Sequence, residues 1–485
     1  MASPAAVSEE LPGGFAGSTA DGPYQPLEWW RAFGDPALDA VVDAVLAANY
    51  DIAEAVARVQ QAREAARVAR AAFYPTVRAR ASVEDFSVPT NAGIGAQLQE
   101  LGLDEALGDF ADDFTLPERL GLTTFTLGAD LAYELDFWGR TRNRELAAGA
   151  AYLASESDYQ TARIGILAET IATYFEIARL RRQIDLVREM VDVLLKRERL
   201  AETRYARGLA NSLDIYRVRQ DLLDTRAGLP QLENQLAGAA GRLAVLLGGY
   251  RRDVDALLPD ALSTAPAGEA VPAGIPADLL HQRPDVRAAG HRLEAAGYDI
   301  EIRRAELLPS LSFAGTIGLQ NSQVAGLFNV NQWFTNLAAN LLAPVFDGDR
   351  LLSNVTLAEV RFNEAAAAYG RTVVTAVAEV ETALAGMRHE NRRHAFLASR
   401  REEAQAELDL QAERYASGVG GYADFLDALR TLLNVDSALA GSEGDLALAR
   451  LAIHRALGGA WTAPDGVEGP PRAISASTEA GGRSE

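Results

Sequence analysis

The sequence predicts a mainly helical α+β chain in which one large unit is built twice. Three observations predict it. Residues 204–215 read RYARGLANSLDI and residues 414–425 read RYASGVGGYADF, so Arg204, Tyr205, Gly208 and Asp214 recur as Arg414, Tyr415, Gly418 and Asp424. Each pair lies 210 residues apart, a period too long for a solenoid of small repeats. Long segments almost free of proline carry helical spacing, and short alternating segments sit at matching points of both copies.

Composition narrows the function. The 485 residues are 48% hydrophobic, which excludes global disorder. The net charge of −21, from 46 Lys+Arg against 67 Asp+Glu, disfavours nucleic acid as a partner, because phosphate binding needs a basic surface. It suits a cation-favouring pore. Without cysteine there is no disulfide, thiolate metal site or thiol nucleophile. No apolar run approaches eighteen residues, so no transmembrane helix is expected. The opening stretch MASPAAVSEELPGG has neither a basic n-region nor an apolar h-region, which taken literally predicts a cytoplasmic chain.

In chain order, residues 1–35 are expected to be extended. Asp35-Pro36 starts the first repeat (36–248) with an N-cap and a first-turn proline. Leu38, Val45, Ile52, Val59, Ala66 and Phe73 then recur every seven residues, predicting one helix that ends at Tyr74-Pro75. Residues 77–88 and 123–133 alternate with period two and predict a β-hairpin (77–133) around a long acidic loop. Residues 140–203 predict a helix roughly 95 Å long, deeper than any compact core. A turn at Gly208 leads to a helix over 213–247, expected to kink at Pro230. A Pro/Ala/Gly-rich linker (249–275) follows. The second repeat (276–458) has a helix to Leu307, a hairpin (311–345), a long helix over 350–413, the Gly418 turn and a helix over 425–457. The tail (459–485) is expected to be disordered.

The run Trp29-Trp30-Arg31-Ala32-Phe33-Gly34-Asp35-Pro36, the run Tyr133-Glu134-Leu135-Asp136-Phe137-Trp138-Gly139-Arg140 and the two RYxxG turns resemble the TolC-type outer-membrane factor family. Arg283-Pro284-Asp285-Val286 with Ala288, and Leu308-Pro309-Ser310, add to the likeness. The resemblance is strongest to the branch that serves resistance-nodulation-division (RND) efflux pumps and often carries an N-terminal lipid. Lipid-bearing members have a cysteine behind a signal peptide, and this sequence shows neither. The resemblance implies a homotrimer in which each protomer gives four strands to a twelve-stranded outer-membrane β-barrel. Its duplicated coiled coils would form a trimeric helical barrel in the periplasm. A periplasmic adaptor would open the tip and an inner-membrane RND-type pump would drive transport, with no cofactor in the duct itself. Trimerisation answers a physical difficulty as well: four strands cannot close a barrel, and open edges cannot sit in lipid.

The candidate site residues follow. Gly208 and Gly418 suit helix C-caps with φ > 0. The resemblance makes these tip turns, with Arg204, Tyr205, Asp214, Arg414 and Tyr415, the adaptor-docking region. Asp214 is explained by helix-dipole stabilisation alone. Asp427 lies on the same helical face as Asp424, and the resemblance puts both at the closed periplasmic gate. The tyrosines are expected to pack between helices, and Arg204 and Arg414 to pair with carboxylates across the tip. Trp333, opening a strand, is the best candidate for the membrane interface; Trp29 and Trp30 are expected to pack on the outside of the tunnel. Catalysis has little support: His389 and His394 are five apart and do not share a helical face as zinc ligands would. A protein-secretion duct and a soluble coiled-coil scaffold are the competing readings. The missing signal favours the scaffold, and the four alternating segments oppose it.

Overall fold

The computed structural model describes residues 28–89, 119–208, 211–259, 262 and 282–459. The expected long hairpin loop, most of the linker and nearly all of the tail lie outside them. Helices α1 (Pro36–Ala48) and α2 (Tyr50–Ala71) lead into strands β1 (Thr76–Pro89) and β2 (Arg119–Leu135). Helices α3 (Arg140–Ala206), α4 (Ser212–Leu246) and α5 (Arg251–Leu257) follow. The second repeat brings α6 (Pro284–Ala305), β3 (Ser310–Asn321), β4 (Trp333–Leu342), α7 (Arg350–Ala416) and α8 (Tyr422–Ala456). Repetition extends to length. Helices α2 and α6 have 22 residues each, α3 and α7 have 67, and α4 and α8 have 35.

Contacts divide the chain into two compact units. The first, helical, holds Met1–Arg63, Ala150–Glu294 and Asn363–Glu485. Its main core joins Trp29, Trp30 and Phe33 to α1 (Leu38, Val41, Val42, Val45), α3 (Ile171, Tyr174, Phe175) and α4 (Leu243). Asp35 organises the entry to α1. Its Oδ1 accepts from the Ala37 and Leu38 amides (2.9 and 3.3 Å), and its Oδ2 accepts the buried Tyr174 hydroxyl (2.6 Å).

Several expectations need correction here. The helix expected to run from Pro36 to Phe73 breaks at Asn49, which takes an extended conformation (φ −68°, ψ 129°). Its amide Nδ2 donates to the Leu246 carbonyl (2.8 Å), while its Oδ1 accepts from the Ile52 amide (3.0 Å) and so caps α2. The heptad spacing runs through the break unchanged, which hid it. Arg283 does the same work in the second repeat, donating to the Ala456 carbonyl (2.9 Å) just before α6 begins. The segment expected to be extended contains a 3₁₀ turn (Trp29–Phe33), and its tryptophans are buried core residues. The expected linker contains α5.

The second unit holds Glu64–Gly149 and Ala295–Phe362. Its four strands form one antiparallel sheet in the order β1-β2-β3-β4. Trp138 Nε1 donates to the Pro309 carbonyl (2.7 Å) where the strands give way to helices.

Candidate functional site: the helical tips and the two-faced sheet

Register sorts the sheet into two faces. The row Arg78, Asp130, Thr316 and Asn336 crosses all four strands, and the Thr316 hydroxyl donates to Asp130 (2.9 Å). Arg80 pairs with Glu84 on the same side (2.9 Å). The neighbouring row, Val77, Leu131, Gly315 and Leu337, points the other way, as does the row ending in Trp333. Val77, Leu131, Ile317, Leu337 and Trp333 all lie exposed on that apolar face. Side-chain alternation therefore gives one wet face and one greasy face. Among the described residues, strands β1 and β4 each have one unpaired edge.

At the tips, Gly208 (φ +68°) and Gly418 (φ +80°) take left-handed conformations just past α3 and α7. The Gly208 amide donates to the Tyr205 carbonyl (2.9 Å) and the Gly418 amide to that of Tyr415 (3.2 Å), satisfying the last turn of each helix. The next helices start differently. Asn211 caps α4 through its side chain, accepting from the Leu213 amide (3.2 Å), while Gly421 precedes α8 with no side-chain cap. The Arg414 carbonyl accepts from the Val419 and Gly420 amides (3.0 and 2.9 Å) and from the Ser417 hydroxyl (3.0 Å), so the second turn closes on its own residues.

The two repeats meet at an aromatic cage. The Arg197 guanidinium of α3 lies 3.7 Å from the centre of the Phe425 ring and 5.4 Å from that of Tyr415. Arg204 lies over the other part of the cage, 4.9 Å from the Tyr415 ring centre. Tyr415 in turn approaches Tyr422 (5.8 Å between rings). Met190, Leu194, Leu222, Leu426 and Leu429 floor the cluster. Burial lowers the Arg197 pKa and raises that of Tyr422, whose buried hydroxyl has no hydrogen-bond partner; Asp214 adds a small upward push on Tyr422.

The structure brings Arg204 and Tyr415 together, yet through a ring face. Among the described residues neither Arg204 nor Arg414 pairs with a carboxylate, against expectation. The Arg204 guanidinium lies over the Tyr415 ring instead. Tyr205 and Arg414 remain exposed. Asp424 and Asp427 are both exposed on the first turns of α8. One turn further, Arg430 pairs with Asp221 of α4. Sequence reasoning missed Arg197, Tyr422 and Phe425, because a cage made by residues more than two hundred positions apart leaves no local signal. Among the described residues no group of His, Cys, Asp or Glu is arranged to hold a metal ion.

The sequence profile of the outer membrane efflux protein family matches residues 41–249 and 275–459. The chain belongs to the outer membrane efflux protein family. Within it, the chain is 32% identical over 443 residues to the pyoverdine export outer membrane protein OpmQ of Pseudomonas aeruginosa, covering 90% of this chain and 87% of the relative. It is 30% identical over 465 residues to the outer membrane protein OprJ of the same organism, covering 94% and 91%. The solved structure of the outer-membrane channel OprN superposes with a TM-score of 0.81 at 28% identity, covering 93% of this chain and 97% of that one. As an outer membrane efflux protein the chain acts at the outer membrane, and the cytoplasmic expectation from its opening residues is set aside. No helix among the described residues is long and apolar enough to cross a membrane.

Proposed function

We propose that the chain is one protomer of a homotrimeric exit duct in a tripartite, RND-type efflux system. The two-faced sheet carries this reading. An exposed apolar face belongs against lipid, a polar face against water, and unpaired strand edges must close before either can sit in a bilayer. Three copies supply twelve strands, with Trp333 at the membrane interface. The tip turns (Arg204, Tyr205, Gly208, Asp214, Arg414, Tyr415, Gly418) are the surface a periplasmic adaptor docks on. Asp424 and Asp427, repeated by three-fold symmetry, form two stacked rings of carboxylates at the periplasmic gate. Such rings admit cations and resist anions. The duct is passive, and the inner-membrane pump supplies the drive. Export of small molecules, as named for the pyoverdine export protein OpmQ, is the cargo class that fits.

Single-channel conductance in a planar bilayer tests this. The expected result is a small, cation-selective conductance that rises in Asp424→Ala/Asp427→Ala. Unchanged conductance and selectivity in that variant would remove the gate assignment and keep the duct. A protein that stays soluble without detergent and never inserts would overturn the duct.

A further inference from the structure

The polar face of the sheet holds a cavity. Register places Arg80, Gly128, Gly318 and Phe334 in one row across all four strands. The two central positions must be glycine. A Cβ at Gly128 would lie 2.7 Å from the Ile317 carbonyl oxygen, and one at Gly318 would lie 2.7 Å from that of Leu127. No side chain tolerates such contacts, so the floor of the row is bare backbone. Arg80 on β1 and Phe334 on β4 stand on either side of it, three strand spacings or about 14 Å apart. The Phe334 Cε1 atom lies 3.1 Å from where a Gly318 Cβ would be, so the ring leans over the floor from its wall. The flanking rows are polar: Thr126 and Gln320 on one side, Asp130, Thr316 and Asn336 on the other. With Glu84 these residues line a cavity of about 260 Å³. A concave site with one aromatic wall and a few convergent polar groups has the make-up of a small-molecule site.

We infer that this cavity is a cargo subsite, and that it takes a flat aromatic compound whose one end carries both a carboxylate and an ammonium group. The cargo role rests on the duct reading, which turns the polar face towards the channel. Each feature of the ligand answers a feature of the cavity. A flat ring lies on bare backbone and meets the Phe334 ring edge-to-face or offset, whereas a puckered ring stands off both. Arg80 is paired with Glu84 (2.9 Å), and the two side chains are 53% and 65% exposed. Such a pair holds weakly, so a ligand carboxylate takes a charge-assisted bond from Arg80 without breaking a buried contact. Asp130 Oδ1 accepts the Thr316 hydroxyl (2.9 Å), while its Oδ2 accepts from no described residue. A ligand ammonium fills that place. Arg80 and Asp130 stand on neighbouring strands one row apart, and Phe334 stands at the far wall. The zwitterionic end therefore binds over β1 and β2 with the ring reaching across the glycine floor. Anchors this exposed let the cargo leave again, which a conduit requires. Three copies put three such subsites at one level of the barrel.

Saturation-transfer NMR on the full-length protein in detergent tests this, with tryptophan as the probe. Three analogues each lack one feature: tryptamine the carboxylate, indole-3-propionate the ammonium, and 3-cyclohexylalanine the flat ring. Each is expected to bind the wild type severalfold more weakly than tryptophan. Arg80→Gln should remove the advantage over tryptamine and keep that over indole-3-propionate. Asp130→Asn should do the reverse, and Phe334→Leu should remove the advantage over 3-cyclohexylalanine. These ratios are read within each variant, so a general loss of folded protein does not imitate them. The four probes on the wild type need no variant at all. Tryptophan that does not bind the wild type, or binds it no better than the analogues, overturns the inference. Ratios that stay the same in all three variants overturn it too. Planar-bilayer recordings on the same preparation separate the failures. A channel that conducts while tryptophan does not bind leaves the duct standing without this subsite. The expected ratios from a protein that never inserts would keep the site and overturn the duct, and with it the cargo role.

Discussion

Arg283 shows how much one side chain settles. Its guanidinium is buried, forks onto Asp285 (3.0 and 2.6 Å), reaches Glu379 (2.7 Å) and donates to the last carbonyls of α8 (2.9 Å to Ala456). A cation at a helix C-terminus is favoured by the dipole, and a buried carbonyl without a donor is costly. Arg283→Met keeps the volume and loses the donors, so it should cost about 2–3 kcal/mol and lower the thermal midpoint. Gly458 packs against it with φ +83°, and an added Cβ would lie 2.8 Å from the Arg283 Cγ. Gly418 has a similar φ and open space around it. Gly418→Ala should therefore cost only the left-handed strain, ~1–2 kcal/mol, while Gly458→Ala costs clearly more in the same melting experiment. His454 stacks on Trp29 (5.0 Å), and burial, with a smaller push from Arg450, lowers its pKa to about 3. An imidazole held neutral in the fold and free to protonate when unfolded favours unfolding below its ordinary pKa. Stability should thus fall as pH drops from about 6.5 towards about 3. His454→Gln should flatten that slope, read as melting temperature against pH.

Elements were legible to the degree that their causes are local. The long helices follow from the near absence of proline, and the tips from glycine at the left-handed position. The break at Asn49 was not legible: Val45 and Ile52 keep their seven-residue spacing across it, and its cause is a carbonyl at Leu246, nearly two hundred residues away. Asn49→Ala removes both the cap of α2 and the donor to Leu246, for about 1–2 kcal/mol, whereas Asn49→Asp should restore the cap alone. The melting midpoints should therefore order as wild type, Asp, Ala. The strands were legible from alternation in β1, and the sidedness of the sheet became plain only once register aligned Val77 with Leu131 and Leu337. Among the candidate site residues, the glycine turns were legible because their geometry is intrinsic. The Arg197 cage was not, since each of its walls comes from the other repeat.

For the whole molecule, the proposed closed tip combines two kinds of force with different responses to salt. Exposed ion pairs such as Arg219 with Glu198 and Glu202 (both 2.7 Å) are screened as the Debye length shrinks from about 10 Å at 0.1 M to about 3 Å at 1 M. The Arg197 cage is partly dehydrated and shielded from such screening. Raising salt to 1 M should therefore weaken cation selectivity without opening the tip, whereas Arg197→Ala should raise conductance at any salt. The matched helix lengths carry a different consequence. Pro75 and Pro309 lie 234 residues apart while Arg140 and Arg350 lie 210 apart, so 24 residues of the length difference between repeats fall between the prolines and the long helices. One residue inserted into α3 would turn everything beyond it by about 100° and swing the buried stripe towards solvent. Lineages descended from the original duplication are thus free to lengthen the connections of the sheet, yet they must keep an identical residue tally in the paired helices, where a reading slip in one copy would leave the other with nothing to match.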